Sequence, residues 1–365
     1  MMSLVYDLVI VGAGPGGLAA AISAKKHGLK VIVLEKGKKV CQGIIDSYPR
    51  GKTVYPTIPK GETEPFKVPE LKPPDQKIPV EEYLAQAERT VQEFALSIEY
   101  QEEFDTIETR GDILIVHTKK GHYDARKVIL AFGSNIPNDL GIWGEAKTVA
   151  RSIENPEEYV GFPCLVLGGG NTSADIVATL SRVKRDARDN SPVYWAYRKE
   201  SFKINKDVAR DLGEEILLGG QIKILQGAIP KIGEVDEDGV ERLMIQTQTS
   251  SLGEVQAIQG LSFPMKHVIA SIGTHGPEPI FAKIGLQQIK CTGNLCRIGK
   301  EESQLILLNR YCETATKGIY AIGGAISPAY MLIHNDGSIK EERHSNLIYM
   351  AVNDAARVVD GILRR

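Results

Sequence analysis

The residues that most constrain the fold lie at the start of the chain. Asp7-Leu8-Val9-Ile10-Val11 is an apolar, β-branched run that reads as a buried strand, and Gly12-Ala13-Gly14-Pro15-Gly16-Gly17 reads as a turn. Leu18 to His27 has helical composition with Gly28 just past its end, and Lys30-Val31-Ile32-Val33-Leu34-Glu35 reads as a second, parallel strand. Strand, glycine turn, helix and strand in this order make a βαβ unit. Within it, Gly12 permits the tight turn, Gly14 lets the backbone approach a pyrophosphate, and Gly17 allows close packing of helix on strand. The helix that opens at Pro15 offers free N–H groups and partial positive charge to phosphates. Glu35 follows Gly17 by 18 residues and closes the second strand, where a carboxylate accepts the hydroxyls of an adenosine ribose. Lys36, the next residue, is counted with this candidate cofactor-binding turn.

A second unit of the same design begins far downstream. Pro163-Cys164-Leu165-Val166-Leu167 is a strand, Gly168-Gly169-Gly170 a turn, Asn171 to Val183 a helix, and Pro192-Val193-Tyr194-Trp195-Ala196-Tyr197 the next strand. Gly168, Gly170 and Ser173 hold the three fingerprint positions, the last filled by a small residue that still packs closely, and Asn171 and Thr172 open the helix. No acid ends the following strand. Arg198 and Lys199 stand there instead, with Lys203 beyond, and they would attract a 2′-phosphate that a carboxylate would repel. Two such units predict two nucleotide-binding domains. The charged link Lys184 to Asn190 is expected to be a solvated surface loop.

Strands running into glycine turns recur at Lys127 to Ser134, Lys266 to Gly273 and Gly318 to Ala325. Thr53 to Pro79 holds seven prolines and reads as a long extended loop, either a lid or a passive insertion. A helix is expected from about Arg343 to Leu363. A length of 365 residues accommodates two domains, and a net charge of -2 with 6% aromatic residues gives neither a basic field nor stacking platforms for nucleic acid. The apolar stretch Leu4 to Ala24 is broken by Asp7 and by the glycine turn and lacks a basic start, so no membrane segment is expected. Five scattered cysteines suit a reducing compartment, hence a cytoplasmic protein, and the seven histidines show no metal-ligand spacing.

The order of the two units, the glycine turns at Gly133 and Gly273, and the segment Gly318-Ile319-Tyr320-Ala321-Ile322-Gly323 resemble the thioredoxin-reductase-like pyridine-nucleotide flavoproteins over nearly the whole chain. The resemblance implies an α/β fold of two doubly wound Rossmann-type domains: an FAD-binding domain of residues 1–138 and 272–365, split by an NAD(P)H-binding domain of residues 139–271. The implied cofactors are FAD and NADP. The implied activity is hydride transfer from NADPH to flavin and on to a small acceptor such as a low-molecular-weight disulfide. Ferredoxin or flavodoxin is the alternative acceptor, and an FAD-holding redox sensor without fast turnover is a third reading. A homodimer is implied by resemblance alone.

Gly133, Gly273, Gly323, Gly324 and Ala325 are candidate cofactor-binding positions in the glycine turns, and Gly323 and Gly324 are expected to frame the flavin pocket with Tyr48 and His344. Ser47-Tyr48-Pro49 and Gly323-Gly324-Ala325-Ile326 are similar to the bacillithiol-disulfide-reductase-like branch, and Tyr48-Pro49 to ferredoxin–NADP reductases of the thioredoxin-reductase type; Tyr48 is therefore expected at the flavin. In similar proteins the start of the last helix approaches the flavin pyrimidine ring, which makes His344 a candidate there. Cys41, six residues past Glu35, is a candidate lone flavin-facing thiol. Three departures stand out. Gly324 replaces the aspartate that ends the family's Gly-Asp signature and holds the ribityl chain. Gly16 occupies the position where bacillithiol-disulfide reductases carry a cysteine. No Cys-x-x-Cys is present; Cys164 falls in an apolar strand, and Cys291 and Cys296 lie in a loop-like segment where they could pair. The acceptor is therefore expected to meet the reduced flavin without a protein dithiol.

Overall fold

The computed structural model describes residues 4–134, 136–138, 149–232, 235–237, 239–247, 260–290 and 303–364. Cys291 and Cys296 lie outside the described residues. The chain divides into two compact units, Met1–Ile45 with Thr53–Ile136 and His275–Arg365, and Asp46–Lys52 with Pro137–Thr274. The boundaries expected at 138 and 271 thus fall at 136 and 274, and Asp46–Lys52 is grouped with the second unit.

The first unit is built on a seven-stranded sheet in the order Ile98–Tyr100, Val31–Glu35, Val5–Val11, His122–Leu130, Ile113–Thr118, Phe104–Arg110. The long strand His122–Leu130 is shared along one edge. Its first half pairs antiparallel with Ile113–Thr118, and its second half pairs parallel with Ile319–Ala321. Val5–Val11 runs parallel to both Val31–Glu35 and His122–Leu130. Residues 8–11, 32–35 and 128–130 of these strands are buried, which is why those stretches read as largely apolar runs. The helix Pro15–Lys26 covers one face, starting three residues earlier than the apolar spacing indicated, because Pro15 fits the first helical position. Against it packs the last helix, close enough that a Cβ on Gly16 would lie 3.3 Å from Ala351 Cβ.

That last helix runs Ile348–Leu363 rather than from Arg343. Arg343 instead ends a strand, Ile339–Arg343, paired antiparallel with Ala329–Ile333. The hairpin turns at Gly337, whose φ of +81° suits glycine. The pattern Asn335-Asp336-Gly337 was the sequence signal for this turn.

The proline-rich segment is tethered rather than free. Phe66, Val68 and Leu71 are buried in the main core, and Phe66 meets Tyr349 edge-on at 5.2 Å. Asn353 receives a hydrogen bond from Lys67 N and donates one to Pro65 O, and Tyr349 OH donates to Glu64 O.

The second unit carries a four-stranded parallel sheet in the order Ile222–Gln226, Val193–Tyr197, Cys164–Leu167, Val268–Ala270. Alternate residues of Cys164–Leu167 feed two cores. Cys164 and Val166 pack with Ile176, Val177 and Leu180 of the helix Asn171–Asp186; Leu165 and Leu167 pack with Leu243, Ile245 and Phe263 of a three-stranded antiparallel sheet. This is the period-two alternation of a strand buried on both sides.

The segment Lys184 to Asn190 departs from the expected solvated loop. The helix continues to Asp186, and Lys184 is 2% exposed. Its ammonium donates to Tyr159 O at 2.7 Å, Phe162 O at 2.6 Å, Ser191 Oγ at 2.7 Å and Asp189 Oδ2 at 3.0 Å. A buried lysine is tolerated when paired and fully hydrogen-bonded, and this one ties the helix to two loops.

Candidate functional site

In the first unit the glycine fingerprint forms the turn that its spacing requires. Gly12 has φ +104°, and a Cβ there would lie 2.6 Å from Ala131 O; one on Gly17 would lie 1.9 Å from Gly12 O. Both are glycine because backbone occupies the space. Gly14 differs: it has φ -75° and caps the helix N-terminus, and nothing lies within 4 Å of its Cβ position. The protein leaves that space open beside the N–H groups of the helix, which is the cradle a diphosphate needs. Glu35 is buried, with Oε2 accepting from Ala13 N at 2.8 Å and Oε1 from Gly37 N at 2.7 Å. A carboxylate has about four acceptor positions, so each oxygen keeps capacity for a ribose hydroxyl. Lys36 beside it is exposed. These residues fit a dinucleotide.

The second fingerprint repeats the logic. Gly168 has φ +135° and a Cβ position 2.0 Å from Ser271 O, while nothing lies within 4 Å of the Cβ position of Gly170. Trp195 Nε1 donates to Gly168 O at 2.7 Å, Ser173 Oγ donates to Gly170 O at 2.7 Å, and Lys203 N donates to Gly169 O at 2.6 Å. Trp195 and Tyr197 hold Phe202 at 4.0 and 5.4 Å, folding residues 198–203 back along the turn. Arg198, Lys199 and Lys203 are exposed on this return. Asn171 Oδ1 accepts from Asn205 N at 2.8 Å, fixing the next helix start.

Sequence reasoning missed Lys52 and Asp175. Lys52 Nζ lies 3.2 Å from Asp175 Oδ2, 3.2 Å from Thr172 Oγ1 and 4.0 Å from the Tyr48 ring centroid. Burial pushes the Lys52 ammonium down and the Asp175 carboxyl up, and each opposes the shift of the other. An unopposed carboxylate one turn into this helix would repel a diphosphate at its N-terminus; Lys52 neutralises it. Tyr48, expected at the flavin, is here grouped with the second unit. No sequence spacing joins residues 48, 52 and 175.

Two further site residues are placed differently from the sequence expectation. Cys41 is 1% exposed, and burial, with Glu35 and Glu88 nearby, pushes its thiol up to about 12. It is protonated at neutral pH and packed in the core, not presented as a nucleophile. His344 precedes the last helix and is 3% exposed. Its Nδ1 faces Ser327 Oγ at 2.7 Å and its Nε2 faces Asp354 Oδ2 at 2.8 Å. Asp354 also accepts from Gly323 N at 3.1 Å and from Arg357 at 2.6 Å. Burial alone would raise the Asp354 carboxyl; the hydrogen bond and charge of His344, with Arg357 and Gly323 N–H, hold it low. His344 therefore braces the turn at Gly323 from within the core. Gly323, Gly324 and Ala325 form that turn, and Gly133, with φ +75°, abuts it at Gly324. Gly273 lies in the second unit, its carbonyl accepting from Asn138 N at 3.0 Å.

Residues 9–323, which span both fingerprints, match the family described as pyridine nucleotide-disulphide oxidoreductase. The chain belongs to this family. It is an oxidoreductase that uses a flavin and a nicotinamide nucleotide. A ferredoxin–NADP reductase of Ignicoccus hospitalis is 27% identical over 337 residues, covering 88% of this chain and 90% of that one. A ferredoxin–NADP reductase of Rickettsia canadensis is 25% identical, covering 87% and 83%. Among solved structures, bacillithiol disulfide reductase of Staphylococcus aureus superposes over 100% of this chain and 99% of its own, with TM-score 0.73 and 19% identity. Thioredoxin reductase of Lactococcus lactis gives TM-score 0.65 at 17% identity, over 98% of each chain. These superpositions establish the two-domain thioredoxin-reductase-like fold. No helix among the described residues is long and apolar enough to cross a membrane.

Proposed function

We propose that the chain binds FAD on its first unit and NADPH on its second, and passes reducing equivalents from NADPH to a redox-carrier protein of the ferredoxin kind. The observation that carries the cofactor reading is the open Cβ position at Gly14, beside a helix N-terminus and next to Ala13, whose N–H donates to the buried Glu35. A bound flavin would supply the hydride-accepting and electron-donating chemistry. The residues of the chain bind and orient. Gly12–Gly17 receives one diphosphate and Glu35 the adenosine ribose; Gly168–Ser173 receives the other, with Lys52 cancelling Asp175. Arg198 and Lys199, with no acid at the end of Val193–Tyr197, select the 2′-phosphate of NADPH.

Two observations support a carrier protein as acceptor. Two curated relatives that cover most of this chain are named ferredoxin–NADP reductases. All three described cysteines, Cys41, Cys164 and Cys312, are buried, and burial pushes each thiol up to about 12, so none of them serves as a thiol relay. A low-molecular-weight disulfide, placed first on sequence grounds, is the second reading; the fold likeness to a bacillithiol disulfide reductase favours it. NADPH oxidation is to be followed with a ferredoxin coupled to cytochrome c and, separately, with oxidised low-molecular-weight thiols. Turnover with the disulfide and none with the carrier would reverse the order. Failure of NADPH to bleach the flavin would leave the sensor. The homodimer implied by resemblance is checked by sedimentation at micromolar concentration, where a monomer refutes it.

A further inference from the structure

Three glycine turns meet at the carboxyl ends of the parallel strands of the first unit. A Cβ on Gly12 would lie 2.6 Å from Ala131 O, and one on Gly324 would lie 3.2 Å from Gly133 Cα. In open α/β sheets this edge receives the ligand. Glycine turns let a ligand approach the backbone, but they offer it no side chain. At this meeting point the side chains come from two other positions. Asn346 Nδ2 donates to Ser134 Oγ at 3.1 Å. Asn346 Oδ1 and Ser134 N each lie 3.0 Å from the Cβ position of Gly324, so no side chain fits at 324 without displacing them. Asn346 is exposed and Ser134 half-buried, so the pair is not core filler. The carboxamide spends one of its two N–H groups on Ser134 and keeps the other, together with a carbonyl that has two lone pairs.

We infer that Asn346, oriented by Ser134, is a flavin-binding residue. Its carboxamide hydrogen-bonds the half of FAD that extends beyond the diphosphate on Gly12–Gly17. This rests on the assignment of FAD to the first fingerprint. The residue sets more than affinity. A neutral amide here leaves a reduced, anionic flavin unopposed, whereas a carboxylate would repel it. Asn346 therefore holds the flavin potential higher than an acid would.

The test uses the full chain, stripped of flavin and titrated with FAD, and its reloaded form for potentiometry. N346A is expected to weaken FAD binding about three- to tenfold, the loss of one net hydrogen bond, with the apo-protein melting as wild type does. N346D is expected to lower the flavin midpoint potential at neutral pH, and to do so less as pH falls and the new carboxyl protonates. Packing alone would not produce that pH-dependent shift. S134A is expected to follow N346A with a smaller loss. Wild-type FAD affinity in N346A together with an unchanged potential in N346D overturns the inference alone. A wild-type chain that takes up no FAD overturns the fingerprint assignment and this inference with it.

Discussion

Gly14 and Gly17 belong to one motif but face different neighbours. At Gly17 a methyl group would run into Gly12 O, whereas at Gly14 it would meet nothing in the protein. Gly14→Val should therefore fold at a cost of only about 1 kcal/mol, that of a poorer N-cap, yet purify without flavin, because the side chain fills the diphosphate cradle. Gly17→Ala should cost about 1–3 kcal/mol or more through overpacking, seen as a lowered urea midpoint before any ligand is added. A yellow, fully loaded Gly14→Val protein would sink the site. Arg198 belongs to the same scale. It is exposed and stands where an acid would select NADH. A charge-assisted hydrogen bond contributes about 1.5–3 kcal/mol, so Arg198→Ala should weaken NADPH about tenfold to a hundredfold and leave NADH nearly unchanged. Equal losses for both nucleotides, measured by titration, would remove Arg198 from the site.

At the scale of elements, the end of the helix Asn171–Asp186 carries a charge cluster that the sequence disguised. Asp189 accepts from Ser191 N and Oγ, Gly161 N and Lys184. Burial alone would raise its carboxyl, but these hydrogen bonds outweigh burial and hold it well below the usual range. A carboxyl lowered in the folded state stabilises fully above its unfolded value, near 3.9, and that stability is lost as pH falls below it. The second unit should therefore lose stability steeply below about pH 4, followed by tryptophan fluorescence. Asp189→Asn should flatten that acid limb; an unchanged limb would show that other carboxyls govern it. Lys184→Met leaves Asp189 without its cation and should cost about 3–5 kcal/mol. Lys and Asp in a charged stretch read as solvated, and only the return of Tyr159 and Phe162 over the helix end converts them into a buried staple.

Across the whole molecule, the described thiols are structural. Cys41, Cys164 and Cys312 sit at 0–1% exposure, and a thiol pushed up to about 12 carries almost no thiolate at neutral pH. Replacing all five cysteines by alanine should keep flavin reduction by NADPH and acceptor turnover within a fewfold, while lowering the melting temperature through small cavities. Loss of acceptor turnover with intact flavin reduction would restore a thiol mechanism. What the sequence determined by itself was local. Both βαβ units, Gly12, Gly17, Gly168 and the strand-ending Glu35 were legible, because a turn, a helix start and a carboxylate 18 residues on are fixed by short-range geometry. Tertiary structure decided the rest. From sequence His344 reads as a helix start, but the partner strand Ala329–Ile333 claims the backbone through Arg343, and the imidazole faces inward to Asp354. Lys52 meets Asp175 across 123 residues of sequence, and Asn346 meets Ser134 across 212. Such pairs follow no period of helix or strand; they exist because each unit folds distant segments of chain against one another, and burial then sets which charges are neutralised there.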